Sequence, residues 1–102
     1  MRSFHVVVSA TAERHIAAIG EWWCDHRPAA PDLFREELEA ALALLERSPT
    51  SGSPYPVAKP KGTRRKLLPR TRYHVYYTFD DEKREVIVRA VWHAMRGSGP
   101  RL

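Results

Sequence analysis

The chain has 102 residues, which fits one folded domain and leaves little room for a second. Its 43% content of hydrophobic residues supports a core and excludes a disordered chain, and no apolar run approaches the roughly 20 residues that a membrane span needs. Cys24 is the only cysteine, which excludes an internal disulfide and a thiolate metal cage and makes the cytoplasm the expected location.

Charge is unevenly distributed along the chain, whose formal net charge is +5. Residues 1–46 carry four arginines and eight acidic residues, a net charge of −4. Residues 47–79 carry eight Lys or Arg and no acidic residue, a net charge of +8. Residues 80–102 have a net charge of +1. A basic centre of this kind attracts a polyanion or an acidic partner, unless it serves solubility alone.

Two helices are predicted in the first half, after a short β-rich strand at residues 4–8. Ser9 is expected to cap the first helix, and Pro28 lies beyond its end. The second helix is expected to begin near Pro31 and to stop at Ser48.

Each predicted helix carries one apolar stripe whose residues follow one another at steps of 4, 3 and 4, which is the spacing of a single helical face. The two stripes are therefore expected to pack together as a helical hairpin, with Glu36, Glu37 and Glu39 on the solvated side. The stripes are formed by Ala12, Ile16, Ile19 and Trp23, and by Phe34, Leu38, Ala41 and Leu45.

Three strands are predicted in the second half, at residues 64–68, 71–79 and 85–93, after a Pro- and Gly-rich loop at residues 49–62. The last strand is apolar on both faces and is expected to be central. The order β-α-α-β-β-β predicts an α+β fold whose last three strands form an antiparallel meander. In the middle strand, Tyr73, Val75, Tyr77 and Phe79 are expected on one face, and Arg72, His74, Tyr76 and Thr78 on the other.

Taken in order, four segments resemble the RelE/ParE toxin family over nearly the whole chain. The resemblance rests on their order and on the length of the chain that contains them. They are Val6-Val7-Val8-Ser9-Ala10-Thr11-Ala12; Leu44-Leu45-Glu46-Arg47-Ser48-Pro49; Gly62-Thr63-Arg64-Arg65-Lys66-Leu67, followed by Tyr73-His74-Val75-Tyr76-Tyr77; and Val86-Ile87-Val88-Arg89-Ala90-Val91-Trp92-His93.

This resemblance implies one toxin domain over residues 1–102, with an antiparallel sheet packed against the N-terminal helical hairpin. It also implies a type II toxin-antitoxin system, in which an antitoxin wraps and neutralises the toxin in a hetero-oligomer. The antitoxin is expected to bring an acidic segment with apolar side chains. No cofactor and no metal are expected, because the histidines have no metal-like spacing.

The resemblance leaves two targets open. ParE-like members poison DNA gyrase, whereas RelE-like members cleave messenger RNA on the ribosome. Ribonuclease members often place a tyrosine near the end of the chain, and here no tyrosine follows His93. The His-x-x-Arg of His93 and Arg96 is similar to ParE-like members and favours gyrase. A third hypothesis is a nucleic-acid-binding module without toxicity.

If the protein is a ribonuclease, RNA cleavage by the 2′-hydroxyl needs a base, an acid and cations around the phosphorane. His93 is the candidate proton carrier, Arg89 is expected on the same strand face, and Arg65 is the candidate phosphate ligand. The second proton carrier is missing, and Tyr73 and His74 are the possible substitutes. A structural alternative for His93 is a hydrogen-bonded residue that closes the last strand.

Two binding surfaces complete the prediction, each supported by residue type and weighed against ordinary core packing or edge protection. One Trp of the Trp22-Trp23 pair is expected to face the core, and the other to receive an antitoxin side chain. The residues expected to bind the target are Arg64, Arg65, Lys66, Arg72, Arg89, His93 and Arg96, and those expected to bind the antitoxin are Trp22, Trp23, Tyr73 and Tyr76.

Overall fold

The structure, a computed structural model, describes residues 3–95. Two helices lie against one five-stranded sheet, whose strand order is β1-β5-β4-β3-β2. This is the predicted α+β fold, and no helix within residues 3–95 is long and apolar enough to cross a membrane. The elements are β1 (His5–Val8), α1 (Ala10–His26), α2 (Leu33–Arg47), a 3-10 turn (Pro49–Ser51), β2 (Ser53–Pro54), β3 (Arg64–Leu68), β4 (Tyr73–Asp80) and β5 (Glu85–His93).

The two helices form the predicted hairpin, and the predicted stripes face the core, with Ile16 and Ile19 partly buried and the other members buried. Ser9 caps α1, because its hydroxyl accepts a hydrogen bond from the Ala12 backbone N–H at 3.1 Å. The stripes pack against the side chains of Leu68, Val75, Val88 and Val91, so the helices cover one face of the sheet. That face is called here the helix face, and the opposite one the distal face.

The sheet is mixed rather than wholly antiparallel. β3, β4 and β5 form the predicted antiparallel meander, and β5 is central as predicted. β1 pairs with β5 in parallel. The loop at residues 49–62 also contributes β2, a two-residue strand paired with β3, which its Ser-Pro sequence gave no reason to expect.

β5 contains one residue more than its partner strand. Val88 pairs with Tyr77, and Ala90 pairs with Tyr76, so Arg89 lies between them as a β-bulge. Because side chains alternate along a strand, this extra residue shifts the alternation of everything that follows. Odd-numbered residues of β5 before the bulge therefore lie on one face of the sheet, and odd-numbered residues after it lie on the other face.

Past the end of β1, helix α1 lies along the free edge of β5. The Val91 backbone N–H donates a hydrogen bond to Nδ1 of His15 at 3.2 Å. This contact satisfies a backbone donor that no neighbouring strand reaches. It also fixes His15 as the tautomer with its proton on Nε2.

Two polar contacts tie the connecting segments to the core. The Tyr77 hydroxyl is buried, accepts from the Gly52 N–H at 2.9 Å and donates to the Pro49 carbonyl at 2.5 Å. Burial is the first cause, and it raises the pKa of Tyr77 above its ordinary value, although the Gly52 N–H and the charge of Arg64 act in the opposite direction. The hydroxyl therefore stays protonated and anchors the turn between α2 and β2.

The second contact corrects a prediction. Glu37 is not on the solvated side of α2 but half-buried, and its carboxylate accepts three hydrogen bonds from the turn between β3 and β4. The donors are the Arg70 N–H at 2.7 Å, the Thr71 N–H at 2.9 Å and the Thr71 hydroxyl at 2.6 Å. The turn itself extends through Arg72, which has a positive φ of 69°, so β4 begins at Tyr73 rather than at residue 71.

Candidate functional site

The distal face carries a group of polar and aromatic side chains from three adjacent strands. Residues that pair across antiparallel strands share a face, so Arg65 on β3 lies beside Tyr76 on β4. His74 lies two residues before Tyr76 on β4 and therefore has the same side. Thr78 follows on that side, and Arg89 reaches it from the bulge, with Nε donating to the Thr78 hydroxyl at 3.1 Å.

Aromatic rings hold Arg65 in place. Its guanidinium lies 4.6 Å from the ring centre of Tyr55, a residue of the Pro-rich loop. The Tyr55 ring meets Tyr76 edge-on at 5.2 Å, and the His74 ring lies 5.9 Å from Tyr76. The loop thus folds over one end of the distal face and positions a cation there.

The protonation of His74 is affected by its burial and by the positive charges on this face. Burial lowers the pKa of His74 below its ordinary value of 6.5, and the charges of Arg65 and Arg72 lower it further. The imidazole is therefore neutral near neutral pH. It becomes cationic only in more acidic solution, or when an anion offsets the arginine charges.

A second surface is a groove of about 720 Å³ on the other side of the sheet, between α1, the turn at residues 69–72 and the end of β5. It is called here the aromatic groove. Among the described residues that line it are arginines and histidines, and none is a carboxylate. Its lining includes Ile19, Trp22, Trp23, Arg27, Arg70, Thr71, Tyr73, Val91, His93 and Met95.

The rim of the aromatic groove exposes large apolar side chains beside cations. Trp22 is 40% exposed and Met95 is 76% exposed. The Trp22 ring stacks on His26 at 4.6 Å, and the Arg27 guanidinium lies 4.8 Å from the centre of the same ring. Trp23 is buried beneath this stack, as expected for one member of the pair, and its indole N–H has no hydrogen-bond partner among residues 3–95.

Comparison with known proteins defines the family. The model of the ParE toxin of type II toxin-antitoxin systems, parDE, matches residues 6–97, which is most of the chain. The chain belongs to the ParE toxin family. It is accordingly a toxin of a type II toxin-antitoxin system. No curated protein sequence matches it.

Solved structures carry the same fold as this ParE family toxin. The chromosomal ParDE toxin-antitoxin system of P. aeruginosa matches with a TM-score of 0.71 at 14% identity, covering 88% of this chain and 95% of that one. The toxin-antitoxin complex RelBE2 of Mycobacterium tuberculosis matches with 0.61 at 26% identity, covering 91% and 93%. The isolated E. coli RelE toxin matches with 0.57 at 22% identity, covering 92% and 87%.

The ParE family toxin does not bring together the three residues predicted for ribonuclease chemistry. His93 pairs with Tyr73, whose ring packs edge-on against Phe34 of α2, so His93 belongs to the helix face. Arg89 and Arg65 lie on the distal face. The expectation that His93 and Arg89 share a face is wrong, because the bulge at Arg89 shifts the alternation of β5.

His93 has a structural contact at the end of the sheet. Its Nδ1 accepts a hydrogen bond from the Met95 N–H at 3.1 Å, and its ring lies edge-on to Tyr73 at 5.0 Å. This matches the predicted alternative in which the histidine closes the last strand. The same side chain also lines the aromatic groove.

The other predicted target-binding residues are divided between surfaces. Arg65 and Arg89 lie on the distal face, and Arg72 adjoins it from the turn. Arg64 and Lys66 share the helix face, and Arg64 donates to the Gly52 carbonyl at 2.6 Å. Arg96 lies outside the described residues.

Three of the four residues predicted to bind an antitoxin line the aromatic groove, namely Trp22, Trp23 and Tyr73. Tyr76 does not, because it is on the distal face and only 3% exposed. Tyr55 and Arg27 were not among the predicted site residues, and His74 was predicted only as a possible second proton carrier. For His74 a signal was available, since strand alternation already placed it on one face with Tyr76 and Thr78.

Proposed function

We propose that this toxin acts by binding DNA gyrase and that a cognate antitoxin keeps it inactive in the cytoplasm. One observation supports gyrase over the ribosome within the family: His93 is separated by the sheet from Arg65 and Arg89. A gyrase poison needs a binding surface and no assembled set of proton carriers. The ParE toxin match over residues 6–97 points in the same direction.

We propose that the target contacts the distal face, through Arg65, Arg72 and Arg89. These guanidiniums have no carboxylate partner among residues 3–95. An acidic or anionic macromolecule approaching the face is therefore attracted before contact and paired after it.

We propose that the antitoxin occupies the aromatic groove. The groove offers an apolar floor from Ile19 and Val91 and basic groups from Arg27 and Arg70. A segment with apolar side chains and carboxylates satisfies both features, as a helix laid in the groove or as an extended strand. Toxin and antitoxin would then form a hetero-oligomer.

The gyrase assignment is tested with purified components. We expect the free toxin to inhibit supercoiling by gyrase in proportion to its concentration, and pre-incubation with its antitoxin to restore supercoiling. The matched variant is Arg65→Gln, which removes a distal-face cation and is expected to weaken inhibition. Unchanged supercoiling at toxin concentrations that stop growth would contradict the proposal.

A second candidate function is ribosome-dependent cleavage of messenger RNA. One observation favours it: His74, whose imidazole can carry a proton, lies on the distal face within the electrostatic influence of Arg65. Cells whose growth is arrested by expression of the toxin distinguish this function from gyrase inhibition. New cuts within translated codons, mapped by primer extension and absent with His74→Gln, together with intact supercoiling, would replace gyrase by the ribosome as the target.

The antitoxin site is tested at Trp22, the half-exposed indole on the rim of the groove. Exposed aromatic residues at the centre of an interface contribute about 2 kcal/mol or more when they are truncated. Trp22→Ala is therefore expected to weaken antitoxin binding by about thirtyfold or more, measured by titration calorimetry. Val57→Ala is the control, because Val57 is 79% exposed but lies in the Pro-rich loop away from the groove. Equal affinities for both variants would place the antitoxin elsewhere.

A further inference from the structure

The distal face holds positive charge that the protein itself does not neutralise. Arg65, Arg72 and Arg89 form no ion pair with residues 3–95, where the ion pairs are Arg35 with Asp32 and Arg84 with Asp81. The Arg65 guanidinium lies over the ring of Tyr55, 4.6 Å from the ring centre, so this contact positions the guanidinium while its N–H donors have no carboxylate partner within residues 3–95. A fixed cation with unused donors is organised for an anion before that anion arrives.

His74 lies between two of these charges. His74, on β4, pairs with Leu67 of β3 and is diagonal to Arg65 of the same strand, a placement in which side chains lie about 7 Å apart. On its own strand it faces Tyr76 and adjoins Arg72, and on β5 it is paired with Trp92, which carries no charge. The charged groups that face it are therefore both positive.

We propose that Arg65, Arg72 and His74 form a binding site for the backbone phosphates of a nucleic acid. The two free oxygens of a phosphodiester can accept from a guanidinium and an imidazolium at the same time, and the repeated charge of a nucleic-acid backbone matches a surface that carries several cations with no carboxylate paired to them within residues 3–95. The site lies on an open sheet face, where an extended strand can pass, and the half-buried ring of Tyr55 lies beside Arg65. The presence of this nucleic-acid site does not depend on whether gyrase is the target of the toxin.

Binding at this site is expected to depend on pH with a defined sign. Burial and, after it, the charges of the two arginines keep the pKa of His74 below 6.5 in the free protein, so the imidazole is neutral near pH 7. A bound phosphate favours the imidazolium and raises that pKa. By linkage, proton uptake accompanies binding, so affinity rises as the pH falls below the pKa of His74 in the complex and levels off once the pH is below its pKa in the free protein.

The experiment measures binding of the purified full chain to a labelled single-stranded oligodeoxynucleotide, by fluorescence anisotropy, between about pH 8 and about pH 5 and over a series of salt concentrations. We expect tighter binding at the acidic end and a steep fall with salt. Arg65→Gln is expected to weaken binding about tenfold and to lower the salt slope by about one. His74→Gln is expected to bind as the parent does near pH 8 but to lose the gain at acidic pH.

Controls separate this site from general attraction. Arg35→Gln on α2 removes the same charge far from the distal face and should leave the slope unchanged. A duplex of the same sequence distinguishes single-stranded from double-stranded backbone as the source of the phosphate. Melting temperatures of the variants confirm that they are folded.

Three outcomes would overturn the inference. They are the absence of salt-dependent binding, an unchanged pH dependence in folded His74→Gln, and equal competition by polyglutamate of matched charge, which would indicate a protein-binding surface instead. Loss of gyrase inhibition is a separate result. A toxin that inhibits supercoiling but does not bind the oligonucleotide keeps the proposed function and loses this site, and the reverse result does the opposite.

Discussion

Replacing Glu37 with alanine is expected to lower the free energy of unfolding by about 3 kcal/mol. The substitution removes one carboxylate that satisfies three donors, the Arg70 N–H, the Thr71 N–H and the Thr71 hydroxyl. Thr71 is 4% exposed, so water cannot easily replace the lost acceptor. Each unpaired buried donor costs about 1 kcal/mol or more. Urea denaturation with linear extrapolation measures the change.

Glu39→Ala is the matched control, because Glu39 is exposed on the same helix. Its free energy of unfolding should differ from the parent by no more than about 0.5 kcal/mol. Glu37→Gln is expected to fall between the two, since the amide oxygen still accepts from Thr71 whereas the amide N–H₂ meets another donor. Similar stabilities for Glu37→Ala and Glu39→Ala would contradict the role assigned to the Glu37 carboxylate.

Gly52→Ala is expected to destabilise the protein by about 2 kcal/mol or more. A methyl group at Gly52 would lie 2.5 Å from the Tyr77 hydroxyl oxygen and 2.8 Å from the Arg65 carbonyl oxygen. Both neighbours are held in the sheet, so the turn must move away and break the hydrogen bond from the Gly52 N–H to Tyr77. Thermal unfolding followed by circular dichroism measures the loss.

The control for Gly52 is a second glycine with the opposite expectation. Gly20 lies within α1, and a methyl group there meets nothing within 4 Å. Gly20→Ala should therefore raise stability by about 0.5–1 kcal/mol, because alanine restricts the unfolded chain and favours helix. Tyr77→Phe tests the same anchor from the other side, and it should also destabilise, by leaving the Gly52 N–H and the Pro49 carbonyl unpaired. Equal effects of the two alanine substitutions would refute the steric argument.

Patterns with a fixed period were predictable from the sequence. Steps of 4, 3 and 4 place Ala12 and Trp23, or Phe34 and Leu45, on one side of a helix regardless of tertiary context, and these residues are buried. Strict alternation in β4 likewise separated Val75 from His74. Ser9 acts as a cap because its hydroxyl reaches a backbone N–H within the same turn, which is a local contact.

Features that depend on distant contacts were not predictable in this way. Glu37 has the same residue type and nearly the same position as its exposed neighbours, and only the arrival of the turn at residues 69–72 distinguishes it. The bulge at Arg89 has no local signature, since an arginine between Val88 and Ala90 fits a regular strand equally well. One extra residue was enough to move His93 away from Arg89, and with it the proposed ribonuclease site.

The candidate sites follow the same division. Residue type and charge were sufficient to identify Trp22 and Arg65, because an exposed indole and a run of cations without acids are visible in the sequence. The positive potential at His74 was not visible, because it arises from Arg65 on one strand and Arg72 in a turn, brought together by pairing of β3 with β4.

Because of the bulge at Arg89, β5 contributes polar side chains to two separate surfaces, one on each face of the sheet. Arg89, before the register shift, lies on the distal face, and His93, after it, lines the aromatic groove. A partner seated only among Trp22, Trp23 and Tyr73 therefore leaves the opposite side accessible to solvent. An antitoxin that shields both sides must pass around the margin of the sheet, and its footprint, mapped by hydrogen exchange, should extend continuously from one to the other.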